Sequence, residues 1–173
     1  DDPSGNSYAG IHDTTSLSFT TGDTVNPTLT SSNPADDAIA IAEDSNIVLN
    51  FSEVVDAESG NIVIYKTSDD SVVESIDVTS NQVTGSGTTQ ITINPSVTLE
   101  SSTEYYVKID TTAFDDPNGN SYAGITDTTS LSFTTGDAVD PTLTSSNPAD
   151  DATAIAEDSN IVLNFTEAVD AES

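Results

Sequence analysis

The chain has 173 residues, of which 30 are Asp or Glu and only two are Lys or Arg, so its formal net charge is −28. Self-repulsion on this scale opposes compaction unless salt screens it or cations bind. Nucleic acid and anionic membrane surfaces are poor partners, because they carry the same sign of charge. The absence of Cys excludes disulfides, thiol nucleophiles and thiolate zinc sites. No stretch is long and apolar enough for membrane insertion.

The most informative feature is an internal repeat. Residues 1–59 match residues 115–173 at 52 of 59 positions without a gap, and such a copy at a fixed spacing is typical of a tandem array. We expect residues 24–137 to form one complete repeat. Residues 1–23 would then supply the last loop and strand of a preceding repeat, and residues 138–173 the first two strands of a following one. Many copies of one module suit a stalk or a coat and not an enzyme, which needs one differentiated site.

Seven short strands are predicted in the complete repeat, because apolar residues alternate between clusters of turn residues. In chain order they cover residues 28–30, 46–51, 61–65, 71–78, 89–93, 105–109 and 130–134. The residues expected to face inward include Ile47, Leu49, Phe51, Tyr105, Val107, Ile109, Leu131 and Phe133. Residues 35–42 come nearest to a helical period, but the Asp and Pro around them favour a turn.

Seven short strands in about 114 residues are typical of an immunoglobulin-like β-sandwich. We therefore expect an all-β fold, an immunoglobulin-like seven-stranded antiparallel β-sandwich in tandem repeats. Tyr105 begins the penultimate strand directly after a turn, where a tyrosine corner would bond its hydroxyl back to the preceding backbone. A simple core tyrosine is the alternative. The linkers, residues 134–141 and their copy 20–27, are short, so consecutive repeats should lie end to end.

Several segments of the repeat resemble a known family. They are NPADDA at 33–38, NIVLNFSE at 46–53, YYVKI at 105–109, DPNGN at 116–120 and LSFTT at 131–135. Together they resemble the bacterial Ig-like domains that occur in tandem in large surface proteins, such as the extender repeats of RTX-type adhesins and the cyanobacterial swimming-motility surface proteins. The resemblance covers the complete repeat and both partial copies. It implies extracellular stalks, often stiffened by calcium, that hold a terminal binding domain away from the cell.

The segment 115–120 is the most suggestive candidate for a metal site. Its oxygen donors, Asp115, Asp116, Asn118 and Asn120, surround a Gly, as in the first half of an EF-hand loop. The second half is missing, because position 121 is Ser and no Glu follows at the twelfth position. The segment therefore needs ligands from elsewhere in the fold.

Those ligands are expected at the same end of the sandwich. The loop after the second predicted strand carries Glu53 and Asp56, and the linker carries Asp23. Together with the loop donors they offer six or more oxygens, which suits the six to eight hard ligands of Ca²⁺, and like-charge repulsion would oppose the cluster without a cation. The alternative is an ordinary turn with solvated acids. Ser4 stands at the upstream position of Asn118, so this side chain is not essential.

A second, junctional calcium site is expected where repeats meet. The acid pairs at 36–37 and 43–44 lie at the opposite end of the sandwich, which would contact the next linker and the next repeat. The candidate ligands there are Asp137, Asp140, Glu167 and Asp170.

No enzymatic chemistry is indicated. The one histidine, His12, has Thr126 as its counterpart, and pairs of carboxylates carry no signal among 30 acids. We therefore predict a non-enzymatic extender module of a large extracellular adhesin or surface protein, rigidified by Ca²⁺ at its loops and junctions. The alternative is a self-assembling subunit of a surface layer, sheath or filament, and a carbohydrate-binding module ranks last. The expected partners are divalent cations, adjacent identical repeats in the same chain, and neighbouring chains.

Overall fold

The computed structural model describes residues 1–170, and these residues form strands and no helix, so none of them forms a helix that could cross a membrane. The first strands of the complete repeat are β1 (Leu29–Asn33), β2 (Ala38–Ile41), β3 (Ile47–Ala57), β4 (Asn61–Lys66) and β5 (Ser71–Asp77). They are followed by β6 (Val83–Thr84), β7 (Thr88–Ile93), β8 (Glu104–Ile109), β9 (Phe114–Asp115) and β10 (Ser132–Thr135). The partial copy at the C-terminal side adds β11 (Leu143–Asn147) and β12 (Val162–Phe165).

The complete repeat is a sandwich of two five-stranded sheets. One sheet has the order β1-β3-β7-β6, with β9 added beside β3, and the other has the order β2-β10-β8-β4-β5. Neighbouring strands are antiparallel except β2 and β10, which are parallel. One cluster of buried apolar side chains draws on both sheets, and it includes all eight residues that the alternation predicted to face inward. The expected all-β, immunoglobulin-like sandwich is confirmed.

The seven predicted strands are all present, and the structure adds three short ones, β2, β6 and β9. The prediction of a turn over residues 35–42 holds only at residues 36–37, because β2 follows directly and pairs with β10, about 95 residues further along the chain. The expected loop at 53–58 was also wrong. There β3 continues to Ala57, since β9 pairs with its end through Asp56↔Asp115 and Ala57↔Phe114.

The tyrosine corner is present. The backbone N–H of Glu100 donates to the hydroxyl oxygen of Tyr105 at 2.8 Å, and Tyr105 is buried. The same turn holds the segment that leaves the sandwich. The Ser101 hydroxyl donates to the carbonyl oxygen of Gly136 at 3.2 Å and accepts from the backbone N–H of Ala138 at 3.1 Å. The corner therefore connects the core to the linker after β10.

The partial copies contain fewer strands than the complete repeat. In the C-terminal copy, β11 and β12 pair in the register of β1 and β3, with Leu143 opposite Phe165 as Leu29 lies opposite Phe51. In the N-terminal copy, residues 1–23 contain no strand. Phe19 is 87% exposed, whereas its counterpart Phe133 is 2% exposed. The reason is the lack of neighbours, because β10 is held between β2 and β8, and within the described residues no strand pairs with the copy of β10. The last three positions of the C-terminal copy, 171–173, lie outside the described residues.

Candidate metal centre

Three carboxylates from distant parts of the sequence converge at one end of the sandwich. Asp23 lies in the linker, Glu53 in β3 and Asp116 directly after β9, and one oxygen of each lies within 4.8 Å of the other two. The pairing of β9 with β3 brings the last two together. The side-chain amide of Asn120 then bridges to the linker, because its Nδ2 donates to Asp116 Oδ2 at 2.8 Å and to the carbonyl oxygen of Asp23 at 3.3 Å.

Asp116 is buried and organises the turn that follows it. Its Oδ1 accepts from the backbone N–H of Asn118 at 2.9 Å and from that of Asn120 at 2.7 Å. Burial opposes the ionisation of Asp116, but the hydrogen bonds from Asn120 and Asn118 outweigh burial and hold its pKa below the ordinary value. Asp116 is therefore negatively charged at neutral pH.

Glu53 is the member of the group that the described residues leave incompletely hydrogen-bonded. It lies between Phe51 and Val55, both buried, at the same alternation in β3, so its side chain starts on the inward side of the strand. Its Oε1 is buried and has no hydrogen-bond partner among the described residues. Burial, followed by the charges of Asp23 and Asp116, raises the pKa of Glu53. A buried, unpaired carboxylate oxygen beside two other carboxylates is an arrangement that a hard cation would satisfy.

The other two carboxylates predicted for this site, Asp56 and Asp115, do not belong to the group of three. Asp56 Oδ1 accepts from the Ser86 hydroxyl at 3.4 Å, and Asp115 lies in β9 opposite Asp56. The side chain of Asn118 is exposed. Asn120 was expected as an oxygen donor, but the structure uses its amide nitrogen to connect Asp116 to the linker.

The junction after the complete repeat reproduces part of the arrangement. Glu167, the counterpart of Glu53, also has a buried Oε1 without a hydrogen-bond partner among the described residues. Burial comes first among the causes that raise its pKa, followed by Asp137 and Asp140. Asp137 Oδ1 accepts from the N–H of Val139 at 3.0 Å, as Asp23 does from that of Val25 at 3.0 Å. At both junctions, therefore, an acidic residue of the linker (the linker acid, Asp23 or Asp137) lies near a glutamate of the sandwich (the strand acid, Glu53 or Glu167).

The remaining acids of the predicted junction are placed differently. Asp170, the counterpart of Asp56, is exposed. Beside the start of β10, Asp36 Oδ1 accepts from the backbone N–H and the hydroxyl of Ser132, and Asp37 accepts from the same hydroxyl. Asp36 and Asp37 therefore fasten the turn before β2 to β10.

Neither lysine compensates the three carboxylates. Lys66 pairs with Glu100 at 2.5 Å, which is the only ion pair among the described residues. Lys108 lies over the stacked rings of Tyr65 and Tyr106, with its Nζ 5.6 and 5.7 Å from the two ring centroids. Within the described part of the chain, the group formed by Asp23, Glu53 and Asp116 therefore has no lysine paired with it.

A sandwich of two sheets with this topology defines an Ig-like module. The chain belongs to the bacterial Ig-like domain family, which matches residues 23–135 and again residues 137–173. Domains of this family are typically structural and non-enzymatic. Among curated proteins, none matches the chain.

Solved structures with a similar fold include CopC from Methylosinus trichosporium OB3b, with 16% identity and a TM-score of 0.47 over 66% of this chain and 97% of that one. They also include two structures of bacterial S-layer protein SbsC. The N-terminal part of SbsC has 20% identity and a TM-score of 0.43 over 69% of this chain, and rSbsC(31-844) has 18% identity and a TM-score of 0.42 over 70%. The chain spans 26% and 16% of those two S-layer chains.

Proposed function

We propose that this protein is an extender segment of a large extracellular adhesin or surface protein, in which Ca²⁺ at the linker end of each repeat converts a flexible string of sandwiches into a stiff rod. The observation that carries the proposal is the convergence of Asp23, Glu53 and Asp116, because Asp23 belongs to the linker and the other two to the sandwich. A cation held by all three would fix the direction in which the linker meets the module.

The charges explain why a cation would matter here. Three carboxylates with oxygens within 4.8 Å repel one another, and an oxygen of Glu53 is buried without a partner. A divalent cation would neutralise the group and supply the missing contact. Ca²⁺ fits better than Mg²⁺, because Ca²⁺ accepts many carboxylate and carbonyl oxygens in flexible geometry, whereas Mg²⁺ keeps several of its waters.

The repeat supports a mechanical role over a catalytic one. The five positions that differ between residues 23–59 and their copy 137–173 leave the linker acid and the strand acid unchanged as Asp23/Asp137 and Glu53/Glu167. In the family to which the chain belongs, such modules are structural. A stalk uses the same junction many times, so the repetition of this acid pair is what an extender requires.

The test is calcium titration of the full chain by calorimetry, with melting curves and small-angle scattering in calcium and in chelator. We expect calcium to bind, raise the melting temperature and lengthen the particle. Glu53→Gln should weaken binding and reduce both responses. The matched control is Glu104→Gln, which removes the same charge from an exposed position on β8, outside the group of three.

Equal length and equal melting temperature in calcium and in chelator would refute calcium stiffening. If Glu53→Gln and Glu104→Gln responded alike, general screening would account for the effect and the site would be wrong. Size analysis at high concentration addresses the larger role, since an extender remains monomeric whereas a lattice subunit assembles.

A further inference from the structure

Asn118 and Gly119 form the one Asn–Gly pair in the sequence, and they lie at the tip of the turn after Asp116. The Asn118 side chain is exposed. Gly119 has φ +84°, and no atom lies within 4 Å of the position that a Cβ would take there. We propose that Asn118 is a site of spontaneous deamidation and that the Asp116 turn controls its rate. This inference does not depend on the proposed function.

The chemistry needs only water. The backbone nitrogen of Gly119 attacks Cγ of the Asn118 side chain and forms a new C–N bond. The side-chain nitrogen leaves as ammonia and takes the proton that the Gly119 nitrogen gives up. Water then opens the five-membered imide at either carbonyl, and the product at this position is an aspartate in its normal linkage or an isoaspartyl linkage. One water is consumed for each ammonia released.

A glycine after the asparagine favours this step, because it has no side chain to block the approach of its nitrogen. Gly also reaches backbone conformations that other residues cannot adopt. The other asparagines are followed by larger residues or by Pro, which has no N–H. Asn160, for example, is exposed but precedes Ile161, whose β-branched side chain crowds the nitrogen. Asn160 therefore serves as an internal reference.

The folded turn restrains the same nitrogen. The N–H of Gly119 donates to the carbonyl oxygen of Asp116 at 3.0 Å, while the Asp116 carboxylate holds the N–H groups of Asn118 and Asn120 at 2.9 and 2.7 Å. The attacking atom is thus engaged, and the backbone on both sides of it is fixed. Ring closure requires the turn to open, so the deamidation rate follows the fraction of molecules in which it is open.

The modification adds negative charge beside a member of the group of three carboxylates. Conversion of Asn118 adds a carboxylate two residues after Asp116. The N-terminal copy cannot follow, because its equivalent residue is Ser4. Two turns that differ in one side chain therefore become different in charge as the protein ages.

The experiment is incubation of the full chain at mildly alkaline pH in chelator, so that cation binding plays no part, followed by proteolysis and mass spectrometry of the peptides. Four samples are compared: the folded wild type, the wild type unfolded in urea, Asp116→Ala, and Asn118→Ser, which restores the residue of the upstream copy. Circular dichroism reports whether each variant is folded.

We expect conversion at Asn118 to exceed that at Asn160 several-fold in the unfolded chain, to be several-fold slower in the folded wild type, and to accelerate in folded Asp116→Ala. Asn118→Ser should show none at this position. Equal rates in folded and unfolded wild type would overturn control by the turn, whether or not Asp116→Ala folds. Conversion in the unfolded chain no faster at Asn118 than at Asn160 would overturn the site itself.

Discussion

The hydrogen bond from Glu100 to Tyr105 can be removed by a single substitution, Tyr105→Phe, which leaves the ring in place. The ring is 1% exposed and packs beside Phe133, with 5.9 Å between ring centroids. Only the hydroxyl is lost, and with it the acceptor of the Glu100 N–H. In the same turn, the carbonyl oxygen of Glu100 accepts a hydrogen bond from the Thr135 hydroxyl at 2.6 Å. The substitution therefore loosens the turn that holds the outgoing linker.

The size of the effect follows from the fate of the N–H. Leaving a buried donor unsatisfied costs about 1–3 kcal/mol. The Glu100 side chain is 69% exposed, so water has some access to this turn, and the lower part of that range, about 1–2 kcal/mol, applies. For a domain of this size, about 1 kcal/mol corresponds to about 4 °C in melting temperature, so we expect a decrease of about 4–8 °C.

Tyr106→Phe is the matched control, because the hydroxyl of Tyr106 donates to exposed Asp70 at 3.0 Å and its ring remains stacked on Tyr65. Its melting temperature should change by less than half as much. The measurement is thermal unfolding followed by circular dichroism, with calorimetry to establish that the transition is two-state. If the two variants melt together, or if Tyr105→Phe melts with the wild type, the corner does not stabilise the turn and the reasoning is refuted.

Three further predictions concern strained or crowded positions. Gly124→Ala should destabilise the sandwich by about 3 kcal/mol or more, because φ is +73° and a Cβ would lie 2.4 Å from a backbone oxygen, whereas Gly10→Ala in the partial copy should leave the main melting transition unchanged; equal shifts would contradict this. Ala40→Gly should stabilise by about 1 kcal/mol, since Ala40 has φ 57°, and an unchanged midpoint in urea would contradict it. Burial and two neighbouring carboxylates raise the pKa of Glu53 above its ordinary value, so the folded state binds that proton more tightly than the unfolded chain. In chelator, the contribution of Glu53 to stability should therefore rise as the pH falls from neutral toward the ordinary pKa of a glutamate, and urea titrations should show Glu53→Gln losing part of this rise; an identical pH profile would count against the assignment.

Much of the fold could be predicted because burial follows alternation in the residues themselves. Ile47, Leu49 and Phe51 alternate in the sequence, and all three are buried. The position of Tyr105 after a turn favoured a tyrosine corner over a simple core tyrosine, and the hydrogen bond from the Glu100 N–H is present. The strands β2 and β9 could not be predicted in the same way. Each is short, and each exists because of a partner far away in the chain, β10 for β2 and β3 for β9.

The candidate metal site was likewise predictable only in part. Sequence alone supplied a set of 11 candidate ligands, and Asp23, Glu53 and Asp116 were among them. Only the pairing of β9 with β3 and the turn around Asp116 decided that these three carboxylates meet while that of Asp56 does not. One sign of Glu53 was present in the sequence, namely a carboxylate at the inward alternation between Phe51 and Val55.

The repeat itself separates what residues determine from what neighbours determine. Composition and alternation determine an acidic, all-β module, and the copied segment predicts that it is repeated along a chain. Burial is not contained in a segment, however, since Leu17 is 72% exposed and its counterpart Leu131 is 1% exposed within nearly identical sequences. A strand becomes part of a core only when other strands cover its apolar face, because apolar surface is stabilised by removal from water and not by its own sequence.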